Sequence, residues 1–156
     1  MKVCVCSDSH GNAANVDKML LRESPSVLLF LGDGLRDLRG LTLPRGCRVH
    51  TVSGNCDFGA SEPELRLLSL EGVRILMMHG HRAAVKAGLF RLDLLAQENR
   101  ADIALYGHTH RQDAQWSEQR LLLCPGSIGS ALCSYAVFDV QEGRFSFELK
   151  NLGEQQ

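Results

Sequence analysis

The sequence predicts a mixed α/β domain in which two packed sheets carry helices on their outer faces. In the first half, apolar runs alternate with helix-like segments, and this β-α-β order is typical of a parallel sheet with helical crossovers. In the second half, short strand patterns joined by turns suggest an antiparallel meander. The chain has 156 residues, so we expect a single domain over residues 1–152 and a frayed tail over 153–156.

The first half is predicted to contain three strands and two helices. The strands cover residues 3–5, 27–31 and 48–52, a helix covers 12–23, and a short helix covers 35–41. The run at 27–31 is VLLFL, and a continuously apolar run is expected of a strand covered on both faces. In the longer helix, Val16, Met19 and Leu20 share one face, and Asn12 is placed to cap its first turn.

The second half begins with a predicted hairpin. Strands over 66–70 and 73–78 flank Glu71-Gly72, a pair that favours a tight turn. A helix is predicted over 87–100, and its apolar face would comprise Leu89, Phe90, Leu92, Leu94 and Leu95. A strand over 101–106 follows, and the proposed meander takes the strands over 113–116, 121–124, 134–140 and 144–149.

Composition excludes several classes of protein. Apolar residues make up 44% of the chain, charged residues 22%, and the net charge is −1. A chain without a basic excess is not expected to form a nucleic-acid groove, and no apolar stretch approaches the length of a membrane span. Lys2 leads directly into a strand, so we expect no signal peptide and a cytoplasmic location, with six reduced cysteines. Cys4 and Cys6 alternate on one strand and should behave as small apolar side chains.

Five of the six histidines lie in three short clusters, each directly after an apolar run. Two further apolar runs end in a Gly-Asp pair and in a Gly-Asn-Cys-Asp segment. Ligands in open α/β sheets bind beyond the carboxyl ends of the strands, so these side chains should converge on one site. The candidate ligands are Asp8, His10, Asp33, Asn55, His79, His108 and His110.

Seven nitrogen or oxygen ligands are too many for one tetrahedral ion and about right for two ions that share a bridging carboxylate. Mixed imidazole and carboxylate ligation suits manganese, iron, nickel or zinc better than calcium. Two such ions, roughly 3.5–4 Å apart, can clamp a phosphoryl group and activate a water between them. The pattern therefore indicates phosphoryl chemistry.

The motifs resemble those of the calcineurin-like metallophosphoesterase superfamily. The matches, in the family's order, are D-x-H at Asp8-Ser9-His10, G-D at Gly32-Asp33, G-N-x-D at 54–57, the single His79, and G-H-T-H at 107–110. Chain length and the later Pro125-Gly126-Ser127 are similar to small phosphodiesterases of the YfcE type. The resemblance implies a four-layer α/β/β/α sandwich and hydrolysis of a small phosphate ester without a covalent enzyme intermediate.

The resemblance also implies a role for each matched residue. Asp8, His10 and His110 would hold the first divalent ion. Asn55, His79 and His108 would hold the second, and Asp33 would bridge the two. The nucleophile would be a hydroxide between the ions, with Mn²⁺ the expected metal and Ni²⁺, Fe²⁺ or Zn²⁺ as alternatives.

One position departs from the pattern of the larger superfamily members. They carry a histidine after the asparagine, and this chain has Cys56. A neutral thiol is a poor general acid, so we expect phosphodiesters with acidic leaving groups to be favoured, with His81 as a candidate replacement acid. Asp33 and Asn55 are the other candidate catalytic residues, and Asp57 is a candidate for orienting the loop.

Three other functions are compatible with the same sequence. A non-catalytic scaffold has a precedent in the retromer subunit of this fold, although the complete set of seven ligands favours an enzyme. A phosphomonoesterase or a nuclease would use the same ligands, but the short chain lacks a capping domain and a basic face.

Arg36, Arg82 and Arg111 neighbour the motifs and either bind phosphate or are solvated surface charges. An exposed antiparallel edge could support a homo-oligomer.

Overall fold

Ten strands form two five-stranded sheets in the computed structural model, which describes residues 1–153. In chain order the elements are β1 (Lys2–Cys6), α1 (Ala13–Glu23), β2 (Val27–Phe30), β3 (Arg48–Thr51), β4 (Leu65–Leu70), β5 (Val73–Met78), α2 (Phe90–Glu98), β6 (Ile103–Leu105), β7 (Gln112–Ser117), β8 (Arg120–Pro125), β9 (Ser134–Gln141) and β10 (Arg144–Asn151). Short 3-10 turns cover Leu35–Leu38 and His81–Ala83. Of the predicted tail, positions 154–156 lie outside the described residues.

Both sheets are mixed. The first has the order β10-β9-β1-β2-β3, in which β1, β2 and β3 run parallel and β9 pairs antiparallel with β1. The second has the order β4-β5-β6-β8-β7, with a parallel centre and an antiparallel strand at each edge. The parallel strands of each sheet point in the same direction, so their carboxyl ends lie together. The polar motifs follow these carboxyl ends.

The predicted meander of the second half is wrong. Strands β7 and β8 form a hairpin in the second sheet, where β8 also pairs parallel with β6. The next hairpin, β9–β10, belongs to the other sheet and pairs with β1. Strand β9 buries side chains on both of its faces, including Tyr135, Ala136 and Phe138, and such a strand requires partners on both sides and layers above and below.

The layers follow the predicted α/β/β/α order, which confirms the fold class. The core between the sheets consists of branched aliphatic side chains such as Val5, Leu29 and Ile75. Helix α1 covers the outer face of the first sheet, where Cys4 and Cys6 are fully buried as small apolar groups. Helix α2 covers the outer face of the second sheet. All six cysteines are free.

The helices are shorter than predicted. Asn12 precedes α1, but its side chain makes no capping hydrogen bond, contrary to the prediction. Helix α2 begins at Phe90 rather than at residue 87, because Gly88 has a φ of +147°, which no helix contains. Its predicted apolar face is also too wide: Phe90 is 81% exposed, and only Leu92 and Ala96, one turn apart, are buried. The short helix expected over 35–41 is only the 3-10 turn.

The hairpin predicted at Glu71-Gly72 is confirmed. Both residues have positive φ, +48° and +83°, as the two central positions of a type I′ turn require. Within residues 1–153, no helix combines the length and the apolar character that a membrane crossing requires.

Candidate metal centre

The first group of candidate ligands comprises Asp8, His10 and His110. The Oδ1 atom of Asp8 lies 3.0 Å from Nε2 of His110 and 3.5 Å from Nε2 of His10, and the two Nε2 atoms are 3.3 Å apart. Asp8 is fully buried, whereas the two histidine side chains are 40% and 48% exposed. Two imidazole nitrogens beside one carboxylate oxygen form a cation site that solvent can reach.

The second group comprises Asp33, His79 and His108, and its central residue is His79. This imidazole is fully buried, and its Nδ1 lies 2.8 Å from the carbonyl oxygen of Leu31. Because a carbonyl only accepts hydrogen bonds, Nδ1 carries the proton and Nε2 presents its lone pair. Nε2 lies 3.2 Å from Oδ2 of Asp33 but makes no hydrogen bond within the described chain. A buried, unsatisfied nitrogen with a fixed tautomer has the form of a metal ligand.

Asp33 lies between the two groups. Its Oδ2 is 3.2 Å from Nε2 of His79 and 3.8 Å from Nε2 of His10, and its Oδ1 accepts the backbone N–H of Cys56 at 2.8 Å. Burial raises the pKa of Asp33, but the protonated form of His79 and the Cys56 N–H outweigh it and hold the pKa well below its usual range. Asp33 is therefore a carboxylate at neutral pH, placed where it can contact both ions.

The two other predicted site residues, Asn55 and His81, have different surroundings. Asn55 is exposed after β3, and its only side-chain hydrogen bond within the described chain is from Nδ2 to Sγ of Cys56, at 3.5 Å. The ring of His81 lies 5.6 Å from that of His79 and 6.2 Å from that of His108. Its Nδ1 is buried without a partner among the described residues. Burial, followed by the charge of His79, lowers the pKa of His81.

The backbone at the ligands is unusual. Five ligand residues that are not glycine have φ between +44° and +70°, namely Asp8, His10, Asp33, His108 and His110. Aspartate and histidine adopt this left-handed region more often than most residue types, and a residue held there depends on the surrounding contacts. Five of the twelve non-glycine residues with positive φ in the range 1–153 are candidate ligands, so the backbone turns sharply where the ligands lie.

Asp57 supplies much of the restraint on the loops that carry Asp33 and Asn55. Its Oδ2 accepts the N–H groups of Asp33 and Gly54 at 2.7 and 2.8 Å. Its Oδ1 accepts those of Gly34 and Leu35 at 2.9 and 3.0 Å. Four bonds to one carboxylate join the loop after β2 to the loop after β3.

Two further residues support the ligand loops, and the sequence assigned a role to neither of them. Asp37 accepts a 2.6 Å hydrogen bond from Oγ of Ser9 and a 2.8 Å hydrogen bond from N–H of Gly11, which fixes the loop between Asp8 and α1. Ser127, in the Pro-Gly-Ser motif, donates to the carbonyl oxygen of Asp8 at 2.7 Å. The motif gave a hint of Ser127, but no local pattern identifies Asp37, whose partners are more than 20 residues away.

A cleft of about 810 Å³ opens from the centre, lined by His10, Asp33, Cys56 and the loops that follow them. We call it the Arg36 cleft, because Arg36 is one of its lining residues. The other two arginines noted in the sequence are not among the residues that line this cleft. Arg82 forms an ion pair with Glu64, and Arg111 is exposed beside Thr109.

Comparisons with known proteins agree with the motifs. The family model of the calcineurin-like phosphoesterase superfamily domain matches residues 1–143. The probable metallophosphoesterase YsnB of Bacillus subtilis is 32% identical over 130 residues, which cover 82% of this chain and 75% of YsnB. The phosphodiesterase YfcE of Escherichia coli K12 is 28% identical over an alignment that covers 89% of this chain and 88% of YfcE.

Solved structures extend the likeness to the fold. A predicted phosphoesterase of Streptococcus pneumoniae is 31% identical, with a TM-score of 0.82 over 96% of this chain and 88% of that one. The zinc complex of Vps29 from Entamoeba histolytica is 19% identical, with a TM-score of 0.73 over 97% and 99%, and shares the fold alone. From the matched domain and these relatives, we conclude that this chain belongs to the calcineurin-like phosphoesterase superfamily.

Proposed function

We propose that the protein is a metal-dependent phosphodiesterase that hydrolyses small phosphodiesters at a centre of two divalent ions. The observation that carries the proposal is the Nε2 atom of His79, which is buried, without a hydrogen bond in the described chain, and 3.2 Å from Asp33. An unpaired buried polar atom costs about 1–3 kcal/mol, and this nitrogen lies beside the carboxylate of Asp33. A metal ion satisfies it, and the neighbouring donors are those that Mn²⁺, Fe²⁺, Ni²⁺ and Zn²⁺ accept.

In this proposal each group of ligands holds one ion. Asp8, His10 and His110 hold the first, Asn55, His79 and His108 the second, and Asp33 contacts both. Bound ions would lower the pKa of coordinated water and would neutralise charge on the phosphoryl oxygens. We take Mn²⁺ as the first metal to test. The domain is proposed to span residues 1–152, and the six free thiols support a cytoplasmic location.

The residues of the chain then bind the substrate, orient it and protonate its leaving group. Asp33 stays ionised because its pKa is low, and the N–H of Cys56 fixes the oxygen that faces away from His79. Burial and the nearby charge of Asp33 raise the pKa of the Cys56 thiol, so it stays neutral and is no nucleophile. In this proposal His81, whose ring centroid lies 5.6 Å from that of His79, donates a hydrogen bond to the leaving group. This weak protonation favours phosphodiesters whose leaving groups are already acidic.

Metal analysis and an assay test the proposal together. Purified protein would be analysed for bound metals by mass spectrometry and assayed with Mn²⁺ on bis(p-nitrophenyl) phosphate and on p-nitrophenyl phosphate. We expect the diester to be preferred and Asp33→Asn to lower kcat/KM by more than about 100-fold, since even outer partners of metal ligands are worth about 10- to 100-fold. Glu148→Gln is the matched control, because Glu148 is an exposed carboxylate on β10.

The alternatives give different results in the same experiment. A monoester preference would identify a phosphomonoesterase. Protein that binds no metal and turns over neither substrate, with Asp33→Asn indistinguishable from wild type, would contradict the proposal and favour the scaffold.

A further inference from the structure

We propose that the Arg36 cleft selects the substrate, and that it takes a nucleotide-type phosphodiester that carries a second phosphate group. The inference rests on the proposed function, because the cleft shares His10 and Asp33 with the metal centre. In this arrangement the reacting phosphate lies at the metal centre, and the rest of the ester extends along the cleft towards Arg36, Arg39 and Phe58.

Two arginines supply positive charge to the cleft. Arg36 and Arg39 both line it, both are exposed, and neither forms an ion pair with any residue in the range 1–153. Arg82, by contrast, is paired with Glu64. Two unpaired guanidinium groups beside a phosphoesterase centre form a suitable site for a second phosphate, which they can bind through paired N–H groups.

Four carboxylates also line the cleft, and they differ in what they contact; Asp33 belongs to the metal centre. Asp57 and Asp37 line the cleft, but their carboxylates accept backbone N–H or hydroxyl hydrogen bonds from the surrounding loops. Glu62 is the lining carboxylate that makes no side-chain hydrogen bond or ion pair within the described part of the chain. Removing the charge of Glu62 should therefore strengthen the binding of an anion, whereas removing the charge of Arg36 or Arg39 should weaken it.

Phe58 supplies an apolar surface of the kind that nucleobases stack on. Its side chain is 91% exposed, and both Phe58 and Cys56, two residues earlier, line the cleft. A base that stacks on an exposed phenyl ring removes the apolar surface of the ring from water. Such stacking contributes about 1–3 kcal/mol to binding. The cleft volume of about 810 Å³ is within the range of small-molecule sites and accommodates one nucleotide.

A pair of substrates that differ by a single phosphate tests the inference. The kcat/KM of the Mn²⁺-loaded protein would be measured on diadenylate with and without a 5′-phosphate, and on bis(p-nitrophenyl) phosphate. We expect wild type to prefer the phosphorylated dinucleotide. Arg36→Gln and Arg39→Gln should each lower that preference by about tenfold, the loss expected for a hydrogen bond to a charged group. Arg91→Gln, an exposed arginine on α2 in the opposite outer layer, is the matched control.

Two further variants separate charge from stacking. Glu62→Gln should raise the preference for the phosphorylated dinucleotide. Phe58→Leu should lower kcat/KM on both dinucleotides by at least about fivefold without changing their ratio, because it removes stacking and leaves the charge.

The outcomes distinguish this inference from the function on which it rests. The inference is overturned if wild type shows no preference for the 5′-phosphate, or if the Arg36 and Arg39 variants behave like Arg91→Gln, while bis(p-nitrophenyl) phosphate is still hydrolysed. Absence of metal-dependent turnover on all three substrates overturns the proposed function and the inference with it.

Discussion

Replacing Asp57 by asparagine should loosen the metal centre without removing any ligand. The carboxylate accepts four backbone N–H groups at 2.7–3.0 Å, two on each oxygen. In Asp57→Asn the amide nitrogen is a donor, so two of the four N–H groups lose their acceptor and face another donor. Hydrogen bonds to a charged group contribute about 1.5–3 kcal/mol each, and bonds to one carboxylate are not additive.

We therefore expect Asp57→Asn to lower the free energy of unfolding by about 2–4 kcal/mol. For a domain of this size that corresponds to a fall in Tm of roughly 5–15 °C. Because the loops that carry Asp33 and Asn55 lose their common restraint, Mn²⁺ affinity should fall by about 10- to 100-fold. Thermal unfolding of the metal-free protein and Mn²⁺ titration by calorimetry measure the two effects separately.

Asp139→Asn is the control for this experiment. Asp139 is 74% exposed and, among residues 1–153, pairs only with the N-terminal amine, at 3.3 Å, so its replacement should change stability by less than about 1 kcal/mol. If the Tm and the Mn²⁺ affinity of Asp57→Asn both match those of Asp139→Asn, the four hydrogen bonds do not restrain the site and the reasoning is refuted.

Three other predictions concern pH, backbone and leaving group. Burial raises the pKa of Glu23, but Lys2, Lys150 and Tyr135 lower it to about 2. The stability contributed by this depressed pKa is present above about pH 4.5 and is lost as pH falls towards 2. Urea unfolding should show that the free energy of unfolding of wild type falls by about 3 kcal/mol more between pH 7 and pH 2 than that of Glu23→Gln, which has no carboxylate at this position. In Gly54→Ala, the new Cβ would lie 2.7 Å from the backbone nitrogen of Asp33, so calorimetry should show Mn²⁺ affinity reduced at least about tenfold. Across aryl phosphodiesters, kcat should rise as the pKa of the leaving group falls, and a flat profile would contradict weak protonation.

Local patterns in the sequence were sufficient for most elements of the fold. The strands lie within about three residues of their predicted bounds because alternation and apolar runs depend on neighbouring residues alone. Pairing was not predictable in the same way. Strand β9 pairs with β1, so that Val3 is opposite Phe138, and no short-range pattern records which of two sheets a strand will join. The meander failed for this reason.

The candidate ligands show the same division. Each is part of a short motif after a strand, so Asp8, His79 and His108 were recognisable by residue type and position. The tautomer of His79 was not, because it depends on the carbonyl of Leu31, 48 residues earlier. The fourfold role of Asp57 was only partly predictable: its turn with Gly54 is local, but its bonds to residues 33–35 are not.

The sequence by itself determined the fold class, the family and the order of the candidate ligands along the chain, because these depend on periodicity and on motifs that a few adjacent residues contain. Tertiary structure alone decided how the strands are shared between the two sheets, which nitrogen of His79 is left unpaired, and which charges line the Arg36 cleft. These properties depend on through-space contacts and burial between loops far apart in the chain, and such contacts exist only once both sheets have packed.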